Sequence, residues 1–142
     1  MIYMASTKIT ENQTIGEIMD LLAKCHVSGI HTQYNDGNVV GLMFGINYGE
    51  AELCFRLPVR WEPVLKAMEE DKSTPKNLCN EKQARRVAWR QVLRWIQAQL
   101  ALIEIGMADI KEAFLPYLMV SRDETMYQRL EKKRFLMLKK DF

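Results

Sequence analysis

The sequence has few cysteines and histidines. Its three cysteines, Cys25, Cys54 and Cys79, are odd in number and lack a C-x-x-C spacing, so they predict neither a disulfide framework nor a zinc ribbon. The two histidines, His26 and His31, have no third group at the spacing of a catalytic triad or a metal site. We therefore expect structural or solvated histidines, no metal site and a reducing compartment.

Motifs that identify common enzyme classes are also lacking. The chain contains no G-x-G-x-x-G loop, no Walker loop and no H-E-x-x-H helix, and its carboxylates do not cluster as they do in metal-dependent nucleases. The sequence thus predicts no catalytic residue and no cofactor. A non-enzymatic protein is favoured, although an activity of an unrecognised type stays open.

No stretch of the sequence resembles a membrane span or a secretory signal. The first residues lack a basic region followed by an apolar one, and no window reaches the roughly 20 uncharged apolar residues that a spanning helix needs. These absences predict a cytoplasmic protein with no membrane partner.

Length and composition are those of a folded protein. The chain has 142 residues, of which 48% are hydrophobic and 27% charged. A chain of this length and composition can bury one hydrophobic core, so a single domain over 1–142 is predicted. The formal charge of +2 is too small to indicate a nucleic-acid coating protein. The position of the charges therefore matters more than their sum.

The residue pattern in the first half of the chain predicts one helix followed by three strands. Thr14-x-x-Glu17 has the pattern of a capping box before a helical apolar repeat, which Gly29 would end. Turn-forming residues at 35–38 and 47–50 then separate three strands, which predicts a small antiparallel sheet over about residues 30–57. Alternation places one apolar face on the sheet, built from Val40, Leu42, Phe44, Ile46, Ala51, Leu53, Phe55 and Leu57.

The other sheet face combines glycines with polar groups. It is predicted to carry Gly41, Met43 and Gly45 beside Glu52, Cys54 and Arg56. Two interpretations of the glycines stay open: they let a ligand or a second subunit approach the backbone, or they accommodate the twist of the sheet.

A long helix dominates the second half. Asn80 is a plausible N-cap, and helical spacing continues to about Met107, which predicts a central helix at about 81–107. Its apolar residues form two stripes, each needing a partner, and this favours a homo-oligomer. Shorter helices are predicted from Pro63, over 110–115 and after the capping box Thr125-x-x-Gln128. The predicted fold class is α+β.

A row of cations runs along the long helix. Four of them are four residues apart, with a fifth adjacent; they are Lys82, Arg86, Arg90 and Arg94, with Arg85 beside them. Like charges at this spacing repel, so the row favours an anionic partner. Two partners stay open: carboxylates of this protein, of which several are available, or phosphates of a ligand.

Arg56 is a sixth candidate. It precedes Leu57-Pro58 on the less apolar sheet face, and two interpretations stay open. It either forms a buried ion pair with Glu104, which is the interpretation we favour, or it reads a ligand.

Four motifs carry a family resemblance. They are Phe55-Arg56-Leu57-Pro58, Ala84-x-x-Val87-Ala88-Trp89-Arg90, Trp95-x-x-Ala98-Gln99-Leu100-Ala101-Leu102-Ile103-Glu104 and Phe114-Leu115-Pro116-Tyr117. Together they resemble a set of small uncharacterised proteins encoded in bacteriophage genomes and prophages. The resemblance covers nearly the whole chain and implies a viral accessory role in the host cytoplasm, but no mechanism and no site residue.

The sequence therefore favours a non-enzymatic phage accessory protein. The leading hypothesis is a counter-defence protein that binds an anionic nucleotide signal or a host immune protein through the cations named above, with Trp61 or Trp89 stacking on a base. The alternatives are a nucleic-acid-binding protein of phage replication or recombination, in which the same cations contact backbone phosphates, and a structural or assembly protein.

Overall fold

The computed structural model describes residues 1–139. The fold is α+β, with 48% helix and 22% strand, as the sequence predicts. Two compact units make up the chain, and each joins two separated segments. We call them the helical unit (Met1–Cys25 and Pro58–Leu102) and the sheet unit (His26–Leu57 and the chain from Ile103 onward). That the two units fold as one domain stays a prediction.

The first helix of the helical unit, α1 (Glu11–Ala23), begins earlier than predicted. Thr10 is its N-cap, and the Thr10 side chain accepts a hydrogen bond from the backbone N–H of Gln13. The predicted cap Thr14 instead lies inside the helix and is buried, so that prediction was wrong. Thr10-x-x-Gln13 satisfies the same capping pattern one turn earlier. The helix also ends at Ala23, before Gly29.

The other helices of this unit follow the sequence more closely. Helix α2 (Glu62–Glu70) has proline in its first turn, and the long helix α3 (Glu81–Glu104) is capped by Asn80, whose side-chain oxygen accepts from Gln83 N at 2.9 Å. A short 3₁₀ turn at Lys76–Leu78 connects them. Helix α3 ends three residues before the predicted Met107, because Gly106 adopts a φ of +81° that a continuing helix does not allow.

Both apolar stripes of α3 are buried over its first four turns. The buried apolar residues of this stretch are Ala84, Val87, Ala88, Trp89, Val92, Leu93 and Ile96. Met68 of α2 packs with Ala84 and Val87, and Trp61 and Leu65 pack against that cluster. Along this stretch the chain covers both stripes itself, so the two stripes do not require a second copy of the protein. The homo-oligomer stays a prediction.

The N-terminal segment lies along α3 and is held there by glutamine side chains. The Gln83 amide is buried and donates to the carbonyl oxygens of Ala5 (2.8 Å) and Thr7 (2.9 Å). About two turns further on, Gln91 donates to the carbonyl oxygen of Tyr3 at 2.7 Å. These bonds give a donor to backbone carbonyl groups that accept no hydrogen bond within a helix or a sheet.

Gln83→Ala is expected to lower the free energy of unfolding by about 2–3 kcal/mol, because two buried carbonyls lose their donor and a cavity remains. The matched control is Gln91→Ala, whose hydrogen bond lies at the surface and whose loss is expected to change stability by less than about 1 kcal/mol. Urea unfolding measures both values. Equal losses in the two variants would show that burial of the Gln83 amide is not what stabilises the segment.

Asp71, at the C-terminal end of α2, is expected to make stability depend on pH at the acid end. Hydrogen bonds from Ser73 and Thr74 lower the pKa of Asp71 from its ordinary 3.8 to about 2. Because the folded pKa is depressed, its contribution is present above about pH 4 and is lost as the pH falls toward 2. Asp71→Asn should therefore reduce the dependence of the unfolding midpoint on pH between 4 and 2. An unchanged slope would count against these hydrogen bonds.

The sheet unit contains the predicted three-stranded antiparallel sheet. Its strands are β1 (Gly29–Asn35), β2 (Asn38–Tyr48) and β3 (Ala51–Arg56), in the order β1-β2-β3. Asp36 and Gly37 form the first turn with φ values of 50° and 79°, and Gly49 of the second turn has a φ of 64°. These are the positive values that Asp and Gly tolerate in tight hairpins. The sheet prediction is confirmed.

One side-chain assignment on β2 was wrong. Gln33 pairs with Gly41 but its neighbour Tyr34 pairs with Val39, so Val40 is an extra, bulged residue. Val40 is 41% exposed, whereas Val39 is 8% exposed. The bulge interrupts the alternation of faces, and the apolar face therefore takes Val39 in place of Val40.

The rest of the sheet unit follows α3. Its elements are α4 (Ile110–Phe114), a 3₁₀ turn at Leu115–Tyr117, β4 (Met119–Ser121), β5 (Glu124–Thr125), α5 (Met126–Lys132) and α6 (Leu136–Lys139). The predicted capping box of Thr125 and Gln128 is present, and Asp109 and Glu112 form another before α4. Phe114 packs edge-on against Phe44, which stacks on Phe55, so the apolar sheet face has an aromatic centre.

Candidate anion-binding site

The cation row on α3 does not lie along a single line. An α-helix turns about 100° per residue, so each step of four residues rotates the side chain by about 40°, and Lys82 and Arg94 are about 120° apart around the axis. The members of the row therefore have different surroundings. The structure brings them together on one helix but divides them into cations with and without a carboxylate partner.

Two of the cations are paired within the helical unit. Arg85 bridges to Glu81 one turn earlier at 3.1 Å, and its guanidinium lies 5.7 Å from the ring centre of Trp61. Arg90 bridges to Glu17 of α1 at 2.8 Å, with its side chain only 15% exposed. For Arg85 and Arg90, pairing with carboxylates of the same chain is thus the correct interpretation.

Lys82, Arg86 and Arg94 differ from them. Within residues 1–139, none of the three lies within ion-pair distance of a carboxylate. Lys82 and Arg94 are exposed, and Arg86 is half-buried. Because Lys82 and Arg86 are one turn apart, they present two unpaired positive charges to the same region of surface.

Glu11, in the first turn of α1, belongs to the same neighbourhood. Burial raises the pKa of Glu11, while the positive charges of Arg85 and Arg86 act in the opposite direction. Glu11 is thus within electrostatic range of Arg86 without bridging to it. Its carboxylate weakens the positive potential around Arg86 but leaves the guanidinium N–H groups available.

Tyr3 was missed by sequence reasoning. The Arg94 guanidinium lies over the Tyr3 ring, 4.3 Å from its centre, and Gln91 fixes the Tyr3 backbone nearby. A cation held over an aromatic face keeps its N–H groups for an anion. The tyrosine is 91 residues from Arg94 along the chain, and no local pattern in the sequence indicates the contact.

The two tryptophans proposed for stacking have different positions. Trp89 is 1% exposed and lies among the buried residues of α3, so assigning it to stack on a ligand base was wrong. It lies between Arg86 and Arg90 in sequence, but its side chain belongs to the buried face of α3. Trp61 is half-buried, packs against the α2–α3 cluster and already faces Arg85.

Arg56 belongs to the sheet unit, whereas the candidate cations of α3 belong to the helical unit. The expected ion pair with Glu104 is not formed, although both residues are described, and that prediction was wrong. The Arg56 Nε atom is buried and has no hydrogen-bond partner in the described chain. Arg56 ends β3, opposite Met43 of β2, which in turn lies opposite His31 of β1.

The sheet face that carries Arg56 is polar, and we call it the polar sheet surface; its members are His31, Gln33, Met43, Glu52, Cys54 and Arg56. A Cβ on Gly41 would lie 2.6 Å from the Gln33 side chain, and one on Gly45 would lie 2.7 Å from that of Glu52. Side chains of the neighbouring strands thus lie across both glycines. The glycines make room for Gln33 and Glu52, which is neither of the two interpretations left open by the sequence.

Glu52 organises one end of this surface. Ser28 donates to its carboxylate, and the Cys54 thiol lies 3.8 Å from its other oxygen. Burial, and then the neighbouring Glu52 charge, raise the pKa of the Cys54 thiol. A thiol with a raised pKa is a poor nucleophile, so Cys54 has none of the activation that catalytic cysteines require.

Two kinds of site are not found in the part of the chain that the structure describes. Residues 1–139 contain no group of three histidine, cysteine, aspartate or glutamate side chains that could hold a metal ion. None of the helices in that range is both long enough and apolar enough to cross a membrane.

Comparison with known proteins adds no relative. No protein-family model, curated protein or solved structure matches the chain.

Proposed function

We propose that this protein is a non-enzymatic binding protein that takes an anionic ligand on α3, with Lys82 and Arg86 as its principal contacts. The observation that carries this proposal is the lack of any ion pair at these two cations within residues 1–139, next to Arg85 and Arg90, which have their own glutamates. Two neighbouring cations that form no ion pair keep their N–H groups for phosphate oxygens, which they bind through charge-assisted hydrogen bonds.

The ligand class we propose is a nucleotide. Arg94 lies further along the same helix, and its guanidinium lies over the ring of Tyr3 from the N-terminal segment. An aromatic ring beside a guanidinium is the combination that nucleotide sites use for base and phosphate. Trp61 next to Arg85 is a second such pair near Lys82. Arg85 is paired with Glu81 of the same helix, and Arg90 is paired with Glu17 of α1, so we assign neither as a principal contact of the ligand.

The biological role we propose is counter-defence in phage infection. It rests on the resemblance of the four sequence motifs to small phage and prophage proteins, and it places the protein in the host cytoplasm. Binding a nucleotide immune signal would need no catalytic group. A host immune protein with an acidic surface would use the same cations.

The experiment compares wild type with Lys82→Gln/Arg86→Gln in binding to a panel of mono-, di- and cyclic nucleotides, measured by calorimetry. Loss of two charge-assisted contacts is expected to weaken binding at least about tenfold, since each 1.4 kcal/mol corresponds to a factor of ten. Lys66→Gln/Lys72→Gln, which removes two exposed charges elsewhere in the helical unit, is the matched control and should bind as wild type does.

Two results would overturn the proposal. One is the absence of binding to every nucleotide, together with a purified protein whose absorbance ratio at 260 and 280 nm shows no bound nucleotide. The other is binding that Lys82→Gln/Arg86→Gln leaves unchanged.

A second candidate function is binding of single-stranded nucleic acid, which the pairing of Tyr3 with Arg94 favours. Such binding weakens steeply with salt because counterions are released from the phosphates. Gel shifts with DNA and RNA across a salt series therefore separate the two candidates, and binding that does not respond to salt would eliminate this one.

A third candidate is an assembly function. In the sheet unit, Ile105 and Met107 flank the glycine that ends α3 and are 68% and 71% exposed. Light scattering after size-exclusion chromatography would show an oligomer that Ile105→Asp and Met107→Asp dissociate. A monomer at all concentrations would eliminate this candidate and the proposed homo-oligomer.

A further inference from the structure

We propose that the polar sheet surface binds a small oxyanion, phosphate or carboxylate, through the guanidinium of Arg56. All the residues of this site belong to the sheet unit. The observation behind it is a half-buried arginine whose charge has no counter-charge in the described chain.

The clearest evidence lies at the Nε atom of Arg56. It is buried away from solvent, and no acceptor within residues 1–139 reaches it. Buried donors are nearly always hydrogen-bonded, because neither water nor the protein otherwise compensates for the lost solvation. The Nε atom of Arg90 also has no hydrogen-bond acceptor among the described residues, but Glu17 neutralises the charge of Arg90. Arg56 has neither an acceptor for its Nε–H group nor a carboxylate within ion-pair distance in the described chain.

The position of Arg56 on the sheet places it in one row with a second basic residue. His31, Met43 and Arg56 form one row across β1, β2 and β3, so the two basic residues flank a half-buried methionine. With strands about 4.8 Å apart, the backbones of His31 and Arg56 are about 10 Å apart. A ligand lying over Met43 is thus within reach of both side chains.

Charge is unevenly distributed over the polar sheet surface. Its carboxylate, Glu52, is four residues from Arg56 on the same strand and already accepts from Ser28. Gln33, in the adjacent row, has no side-chain hydrogen bond within the described residues and adds an amide donor. The Glu52 side chain lies across Gly45, two residues along β2 from Met43, and the row of His31, Met43 and Arg56 itself contains no carboxylate.

The shape of the guanidinium group indicates the class of ligand. The guanidinium group offers parallel N–H donors in a planar fork, which fits two oxygens of one phosphate or carboxylate. Both anions share this chemistry. The experiment therefore uses inorganic phosphate and acetate as separate probes.

The test follows the Nε–Hε resonances of arginines in ¹⁵N-labelled protein during titration with sodium phosphate or sodium acetate, with chloride holding the ionic strength constant. The Arg56 resonance is identified by its loss in Arg56→Lys. We expect a saturable shift of that resonance with at least one anion, while Arg122, an exposed arginine of the same unit, does not shift. Saturation by phosphate alone identifies a phosphoryl ligand, and saturation by acetate alone identifies a carboxylate.

Two controls keep this test separate from that of α3. Lys82→Gln/Arg86→Gln should retain the Arg56 response in full, and Arg56→Gln should lose the anion-dependent shifts of His31 and Met43. No saturable shift of the wild-type Arg56 resonance with either anion would overturn the proposal, and so would a response of His31 and Met43 that persists in Arg56→Gln. The wild-type titration decides the question even where Arg56→Gln does not fold.

Discussion

Trp89→Ala is expected to lower the free energy of unfolding by about 3–5 kcal/mol, because it removes a large aromatic side chain from a site that cannot collapse around the cavity. Trp89 is 1% exposed, and Val92, Leu93 and Ile96 of the same helix are buried with it. The measurement is urea or guanidinium unfolding of the purified variant.

A matched control separates core packing from ligand stacking. Trp61→Ala removes the same side chain from a half-buried position and is expected to cost less than half as much stability. If Trp89 were a stacking residue, Trp89→Ala would keep its stability and lose nucleotide binding. An unchanged unfolding midpoint for Trp89→Ala would therefore contradict its assignment to the core.

The sheet was predictable because its information is local. Asp36-Gly37 and Gly49 favour tight turns through their own backbone preferences, and the strands between them follow from adjacent residues. The same holds for the caps at Asn80 and Thr125, where a side chain serves a backbone N–H three residues away. Short-range chemistry of this kind leaves a pattern in the sequence.

Other features depend on contacts that have no local pattern. The bulge at Val40 shifts one strand against its neighbour, and nothing in the alternation of apolar residues indicates where the shift occurs. The start of α1 depended on choosing between Thr10 and Thr14, which both carry a capping pattern. In each case the sequence allows two arrangements, and packing selects one of them.

The candidate site was predictable only in part, for the same reason. Spacing alone placed Lys82 and Arg86 one turn apart on α3. That Arg90 finds Glu17 on α1, 73 residues away, and that Arg94 finds Tyr3 depends on the tertiary structure. For Arg56 the sequence favoured a carboxylate partner that the described part of the structure does not contain. Its Nε atom, at the end of β3, has no acceptor in the described chain.

These differences define how the charges of α3 function. Arg85 and Arg90 form ion pairs within the helical unit, whereas Lys82 and Arg86 form none with the described residues and contribute little to its stability. Exposed or half-exposed cations without ion pairs change stability by only a few tenths of a kcal/mol when neutralised. Substitutions at Lys82 and Arg86 therefore report on binding without the complication of unfolding.

In the sheet unit, Phe114→Ala is expected to lower the free energy of unfolding by about 3–5 kcal/mol. The Phe114 ring is fully buried and lies 5.2 Å from Phe44 at an interplanar angle of 84°, and Phe44 stacks on Phe55 at 5.2 Å. An edge-to-face pair adds about 0.5–1.5 kcal/mol beyond the burial of the rings. Removing Phe114 therefore uncovers the apolar face of β2 and β3 as well as leaving a cavity.

Phe135→Ala is the matched control, since it is the same substitution in the same unit at a ring that is 41% exposed and contacts Tyr127 at 6.3 Å. Its expected effect is less than about 1.5 kcal/mol, because most of the transfer free energy is absent where the ring already meets water. Unfolding curves of the two variants under identical conditions give the comparison. Similar losses would mean that Phe114 does not anchor the sheet, because a half-exposed ring and a buried one would then contribute alike.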